Sequence, residues 1–308
     1  MFKTPVGKIF LAIAAIACLA GFRAPAFAAV RVVTTTPDLA AIAREVGKEK
    51  VQVESLGKGN QNPHFVDPKP SFMVKLQKAN LLVIVGLDLE IGYLPPLLDG
   101  ARNSKIRKGS PGYVDASAGC RILEVPDTKI DRSMGDIHVY GNPHYWLDPG
   151  NGKIIAKNIA DGLSRVDPAN ADLYAENAKQ FAGEIDKRMS EWKKRLLPFK
   201  DAEIVTYHKS WTYFEERFQL NVSAYIEPKP GIPPTPSHTV EVIQTIKSRN
   251  IKVIAVEPFY DRKAADAIAS RTGAKVIVLP SSVGGLKGVD TYFDLFDYIT
   301  EQLASAMK

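Results

Sequence analysis

Five histidines are the residues of this 308-residue chain best suited to chemistry, and their contexts are not random. His64 lies in Asn62-Pro63-His64-Phe65-Val66-Asp67-Pro68, and His144 in Gly141-Asn142-Pro143-His144-Tyr145-Trp146-Leu147-Asp148-Pro149. Both segments read N-P-H, with an aspartate three or four residues on. Proline stiffens each loop and so fixes the direction of one imidazole. His208 directly follows the β-branched run Glu203-Ile204-Val205-Thr206-Tyr207. Neutral imidazole is the commonest transition-metal ligand, and three of them suit Zn²⁺. A single loop histidine is usually structural or merely exposed. Three of them at the ends of strand-like runs, two in matching contexts, point to a shared metal site. A carboxylate is the natural fourth ligand, and Glu257 closes the run Ile251-Lys252-Val253-Ile254-Ala255-Val256; the same position also suits a salt-bridged or helix-capping role. His138 is a candidate auxiliary ligand. His238 follows Ser237 at a predicted helix start, where a solvated cap-region role is expected. Asp67 and Asp148 can orient the imidazoles from behind or cap turns, and capping is the stronger expectation. No G-x-G-x-x-G, Walker or H-E-x-x-H motif is present, and 280–284 (PSSVG) does not make a G-x-S-x-G elbow.

These histidines need rigid elements to bring them together. Short β-branched runs at 30–35, 51–56, 81–87, 203–207, 251–256 and 275–279 read as strands buried on both faces of parallel sheets. Helical patterns lie between them. One opens at Thr36-Pro37-Asp38, carries Leu39, Ile42 and Val46 on one face, and stops at Gly47. Another follows Ser237 with Val240, Ile243 and Ile246. A last one follows Asp290 with Phe293, Leu295, Phe296 and Ile299. Alternating strands and helices predict an α/β fold, and in open α/β sheets ligands bind at the carboxyl ends of strands. The middle departs from this rhythm. Tyr174, Ala178, Phe181, Ile185, Met189, Trp192 and Leu196 form one apolar stripe at steps of three and four. The pattern predicts one long helix over 167–198, reaching about 45 Å, that joins two lobes rigidly. The alternative is a core helix of a single larger domain. The expected organisation is therefore 1–28, a first metal-binding lobe at 29–166, the helix at 167–198, and a second metal-binding lobe at 199–308. Five prolines in residues 227–236 predict a stiff extended loop.

Residues 1–28 read as an export signal. Lys3 and Lys8 precede a 14-residue apolar run at 9–22, too short to span a bilayer, and Ala26-Phe27-Ala28 is a cleavage site. Lipid anchoring through Cys18 is the less favoured alternative. Lys3, Lys8 and Arg23 leave with the signal, and no acid does, so the net charge falls from +6 to +3. So weak and scattered a charge argues against nucleic acid as a partner. With Cys18 gone Cys120 stands alone, which excludes a disulfide framework. At 45% hydrophobic and 24% charged, the chain is neither collagen-like, disordered nor coiled coil. No later run reaches 18 apolar residues, so the mature chain is expected to be soluble.

At the segments NPHFVDPKPS, GNPHYWLDP, VTYHKSWTYF, PPTPSH and VEPFYD the sequence resembles the zinc- and manganese-binding solute-binding proteins of ABC importers, over essentially the whole mature chain. GNPHYWLDP is the most specific segment; the others gain force from their order. The resemblance implies two α/β lobes joined by a long rigid helix, a metal between them, and His64, His144 and His208 as ligands. In that family an aspartate ligand usually follows the last strand. Here the region reads Val278-Leu279-Pro280-Ser281-Ser282-Val283-Gly284-Gly285, with no carboxylate. The long His-rich loop of many zinc importers is also missing. The expectation is a monomeric periplasmic receptor that carries Zn²⁺, with Mn²⁺ second, to a permease at the inner membrane. A secreted mononuclear zinc hydrolase using Glu257 as general base is the alternative from another class. A metal-independent surface protein on the same scaffold is the third.

Overall fold

The computed structural model describes residues 29–127 and 138–308. The predicted signal segment, with Cys18, lies outside the described residues. Chain order in the first half is β1 (Val30–Thr34), α1 (Pro37–Gly47), β2 (Val51–Ser55), α2 (Pro70–Lys78), β3 (Leu81–Ile84), α3 (Leu94–Ala101), β4 (Tyr113–Asp115) and α4 (Pro149–Val166). The long helix α5 (Ala171–Leu196) follows. The second half runs β5 (Glu203–Thr206), α6 (Thr212–Phe218), β6 (Asn221–Tyr225), α7 (Pro236–Arg249), β7 (Val253–Val256), α8 (Lys263–Thr272), β8 (Lys275–Val278) and α9 (Tyr292–Ala306).

The strands form two four-stranded sheets, ordered β2-β1-β3-β4 and β6-β5-β7-β8, with every pairing parallel. All six expected strands are present. β3 and β7 are buried at every residue, which is why they read as unbroken apolar runs. The two remaining strands lie at sheet edges and left no such pattern. β4 has three residues, and β6 is polar and mostly half-buried. Helix α4 also escaped the pattern, because glycines interrupt it. Gly152 lies against the ring of Tyr292, where a methyl group would overlap the aromatic carbons.

The helical run covers the predicted 167–198 almost in full, and its α-helical part is Ala171–Leu196. Single 3-10 turns, Pro168–Asn170 and Leu197–Phe199, flank its 26 residues. Asp167 does not cap it: its carboxylate instead accepts from the Asn170 amide and the Tyr174 hydroxyl. Of the apolar stripe, Tyr174, Ala178, Phe181, Ile185, Trp192 and Leu196 are buried, and Met189 is partly so. Burial of a large apolar side chain of this kind stabilises by about 2–3 kcal/mol. The helix packs on α1 and α4 at one end and on α9 at the other. Asn177 donates to the carbonyl of Val46 (2.9 Å), while Arg188 and the Trp192 indole both bond Asp297 (2.7 Å each). The largest apolar cluster runs through both halves, from Val30 to Ala304. Two smaller clusters fill the outer faces, one beneath α2 and α3, the other beneath α7 and α8.

Two caps differ from expectation. Thr235, not Ser237, caps α7 and accepts from the backbone N–H of His238 (3.3 Å). Thr291, not Asp290, caps α9 in a reciprocal box with Asp294. In both, the true cap is a threonine one or two residues from the expected residue. The proline-rich loop is not uniformly extended. Ile232 N–H donates to the carbonyl of Lys229 (2.9 Å), closing a tight turn with Gly231 at φ +75°. No helix among the described residues is long and apolar enough to cross a membrane.

Candidate metal centre

The two N-P-H loops use one local device. Asn62 Oδ1 accepts from the backbone N–H of His64 (3.0 Å), and Asn142 Oδ1 accepts from that of His144 (3.0 Å). The asparagine thus folds each loop back on itself, while proline between the two residues limits the alternatives. The first loop leaves β2 and leads into α2. The second enters a 3-10 turn (Tyr145–Leu147) and then α4, whose first residue is Pro149. Asp148 caps α4, accepting from Gly150 N–H (2.7 Å), and its carboxylate also holds Arg217 through two bonds of 2.6 Å. Capping was the stronger expectation for Asp148. Asp67 is exposed, and α2 begins three residues later with Lys69 at its cap position.

His208 leaves the end of β5, where the Thr206 hydroxyl donates to the His208 carbonyl (2.9 Å). The three rings meet. Centroids lie 5.1 Å apart for His64 and His144, and 5.3 Å for each of these with His208. One donor nitrogen from each ring falls within 4.8 Å of the others. His64 Nε2 and His144 Nε2 are 3.1 Å apart. Two imidazoles bound tetrahedrally at about 2.0–2.1 Å would hold their nitrogens about 3.3 Å apart, so this spacing fits a zinc-sized cation. A cavity of about 370 Å³ opens onto the rings, lined also by His138, Glu124, Lys209 and Glu227.

Ring orientation follows from the partners behind each ring. His144 Nδ1 faces Asn142 Oδ1 (2.8 Å), an oxygen that only accepts, so Nδ1 carries the proton and Nε2 keeps its lone pair. His208 Nδ1 donates to the buried carboxylate of Glu227, which leaves Nε2 toward the other rings. His138 Nε2 lies 3.1 Å from His64 Nδ1, on the side away from His144, so it stands behind His64. His238 lies at the start of α7, with Nε2 2.9 Å from the carbonyl of Tyr225. Burial, then the charges of the neighbouring histidines, hold His64 and His144 well below the usual imidazole range. Both rings are therefore neutral at pH 7, the form that binds metal.

Glu257 is fully buried just beyond β7. Its Oε1 accepts from the Ser210 hydroxyl (2.9 Å) and the Trp211 indole (3.0 Å), while Oε2 has no hydrogen-bond partner. Burial pushes its carboxyl up to about 7, opposed first by the charge of His208. The close donor group comprises the three imidazoles, and Glu257 stands outside it. Sequence reasoning missed Glu227 because its strand, β6, left no apolar pattern. The signal was present as a glutamate opening the proline-rich segment. The acceptor role of the two asparagines leaves no mark in the motifs beyond the residues themselves.

The chain matches the family described as zinc-uptake complex component A, periplasmic, over residues 32–306. It is 26% identical over 303 residues to the manganese ABC transporter substrate-binding lipoprotein PsaA of Streptococcus mitis, covering 95% of this chain and 94% of the relative. It is 32% identical over 165 residues to the high-affinity zinc uptake system protein ZnuA of Brucella abortus, 54% of this chain and 48% of that protein. A crystal structure of ZnuA shares the fold with a TM-score of 0.77 at 26% identity, covering 91% of this chain and 100% of that one. The Mn-bound periplasmic metal binding protein of Candidatus Liberibacter asiaticus has the same fold, with a TM-score of 0.72 at 22% identity over 91% of this chain and 100% of that one. These relatives are transport components, so the hydrolase alternative is set aside. The chain belongs to the zinc-uptake component A family and is an extracytoplasmic, non-enzymatic solute-binding protein for a divalent metal, zinc or manganese, of an ABC transporter.

Proposed function

We propose that the protein captures one Zn²⁺ through His64, His144 and His208 in the periplasm, after loss of residues 1–28, and delivers it as a monomer to an inner-membrane ABC permease. The observation that carries this reading is the convergence of three imidazole nitrogens within 4.8 Å. Three nitrogen donors favour Zn²⁺, whereas Mn²⁺ prefers oxygen and stands lower in the affinity order for such sites. Glu257 lies outside these three bonds and is held by Ser210 and Trp211. Residues 29–166 and 199–308 act as two lobes, with α5 as the brace between them. The apolar cluster shared by both halves resists a wide hinge, so release proceeds by a small shift that changes coordination geometry.

Elemental analysis of protein purified without chelator, followed by competitive titration with Zn²⁺ and Mn²⁺, tests this reading. One equivalent of zinc, bound at least 100-fold tighter than manganese, is expected. Equal or tighter manganese binding defeats the zinc assignment. Scattering profiles with and without metal should nearly superimpose, and a large closure would count against the braced arrangement.

A further inference from the structure

The segment joining β8 to α9, residues 280–291, departs from a plain connection. Its stretch 281–285 crosses to the first half of the molecule and is fastened there at three points. Asp38, in the first turn of α1, is fully buried. Its Oδ1 accepts from the backbone N–H of Val283 (2.9 Å), and its Oδ2 from the hydroxyl of Ser282. The carbonyl of Ser281 accepts from the Trp146 indole (2.8 Å). Gly59 forms the third point: a methyl group there would overlap the carbonyl oxygen of Val283 and the backbone of Gly284 and Gly285. The strap is also closed on itself, with Gly285 N–H donating to Ser282 (3.0 Å) and Gly284 N–H to Val289 (2.6 Å).

Two of these contacts lead to the histidines. Trp146 lies two residues beyond His144, and its ring packs against the His144 imidazole with centroids 5.3 Å apart. Gly59 belongs to the loop between β2 and α2 that carries His64. The strap therefore touches both N-P-H loops, and Asp38 fixes the strap. A buried carboxylate aimed at two donors across 244 and 245 residues of sequence is costly to keep unless its geometry matters.

We propose that strap 281–285 is a clasp that sets the spacing of His64 and His144 before metal arrives, and that Asp38 is the positioning residue that holds the clasp shut. This deepens the metal-capture reading and rests on it. With the clasp shut, the metal meets a preformed pair of imidazoles and little ordering is left for binding to impose. Strap 281–285 carries no carboxylate, and it acts on the site through Trp146 and Gly59 rather than by donating an atom to the metal.

The test uses the mature chain with Asp38→Ala, Ser282→Ala, Ser282→Thr and Gly59→Ala, after zinc binding by the wild type has been measured. Failure of the wild type to bind zinc sinks the metal reading and the clasp with it. Given wild-type binding, Ser282→Ala and Gly59→Ala should weaken zinc affinity about tenfold or more, as loss of outer partners typically does. Stoichiometry should stay at one, and the visible spectrum of the Co²⁺-substituted site should change. Ser282→Thr, which keeps the hydroxyl, should restore both. Asp38→Ala should have the largest effect; should it fail to fold, the Ser282 and Gly59 variants decide. Variants that lose thermal stability but keep wild-type affinity and Co²⁺ spectrum would reduce Asp38 and the strap to structural roles and overturn the proposal.

Discussion

The two sheets share one strand order and one layering, yet they surround their histidines in opposite ways. Beyond the first sheet, His64 and His144 are held by neutral groups, the amides of Asn62 and Asn142. Beyond the second, His208 Nδ1 is held by a buried carboxylate, Glu227. Neutral acceptors fix direction without adding charge, so the first pair is set by steric and hydrogen-bond geometry. Carboxylates also make the ring a better donor and offset an incoming dication. The first sheet therefore supplies placement, and the second supplies charge. Among the described residues neither half alone makes a three-nitrogen site, which is why the brace between them matters.

The largest effects should come from the rings themselves. His64→Ala, His144→Ala and His208→Ala are each expected to lower zinc affinity by at least 100-fold, as read by competition with a chromophoric chelator. The comparison predicts that they differ in stability. His208→Ala strands a buried carboxylate, Glu227, and should destabilise the metal-free protein by about 1–3 kcal/mol. His144→Ala leaves Asn142 still accepting from the backbone, so its stability cost should be smaller. Equal thermal shifts for the two would remove the contrast between neutral and charged support.

Glu227→Gln comes next. Gln keeps the size and one acceptor but removes the charge, and should weaken zinc binding about 10- to 100-fold with one equivalent still bound. Wild-type affinity would show that the carboxylate only seals the pocket and does not tune His208.

The same contrast explains what could be read from residues alone. His64, His144 and His208 were legible because proline, asparagine and strand ends leave marks within a few positions of the histidine. Buried strands such as β3 and β7 were legible because both faces are apolar. Glu227, Asp38 and Trp146 were not, because what defines them is a partner 19 to 245 residues away. No local spacing encodes that a serine at 282 will donate to an aspartate at 38. The edge strand β6 failed for a related reason. With only one neighbouring strand and half-exposed side chains, it has no need of an apolar pattern, and the glutamate at its end went unplaced.

The smallest effect, spread over several groups, is on stability against pH. Burial raises Asp38, Glu90, Glu215 and Glu257 to about 7, from ordinary values near 4. The folded chain holds these protons more tightly than the unfolded one. The stability they contribute is thus complete below about pH 4 and is lost as pH rises through 7. His64 and His144 are shifted the other way, so they add a smaller, opposite slope that fades above about pH 7.5, where the unfolded imidazoles are also neutral. Between pH 6.5 and 8 the four acids dominate, and metal-free protein should lose about 2–3 kcal/mol, slightly under about 1 kcal/mol per acid, less a few tenths for each imidazole. Urea unfolding at the two pH values measures this. Glu90 and Glu257 then separate the two sheets. Glu90 satisfies both its oxygens with the Thr35 hydroxyl and the N–H groups of Val85 and Gly86, whereas Glu257 leaves Oε2 unpartnered. Glu257→Gln should therefore remove its share of the pH slope at little cost in stability. Glu90→Gln should remove its share but destabilise at every pH, because a buried N–H loses its acceptor. A Glu257→Gln protein that keeps the full slope would show that Glu257 is already ionised in the folded chain at pH 6.5.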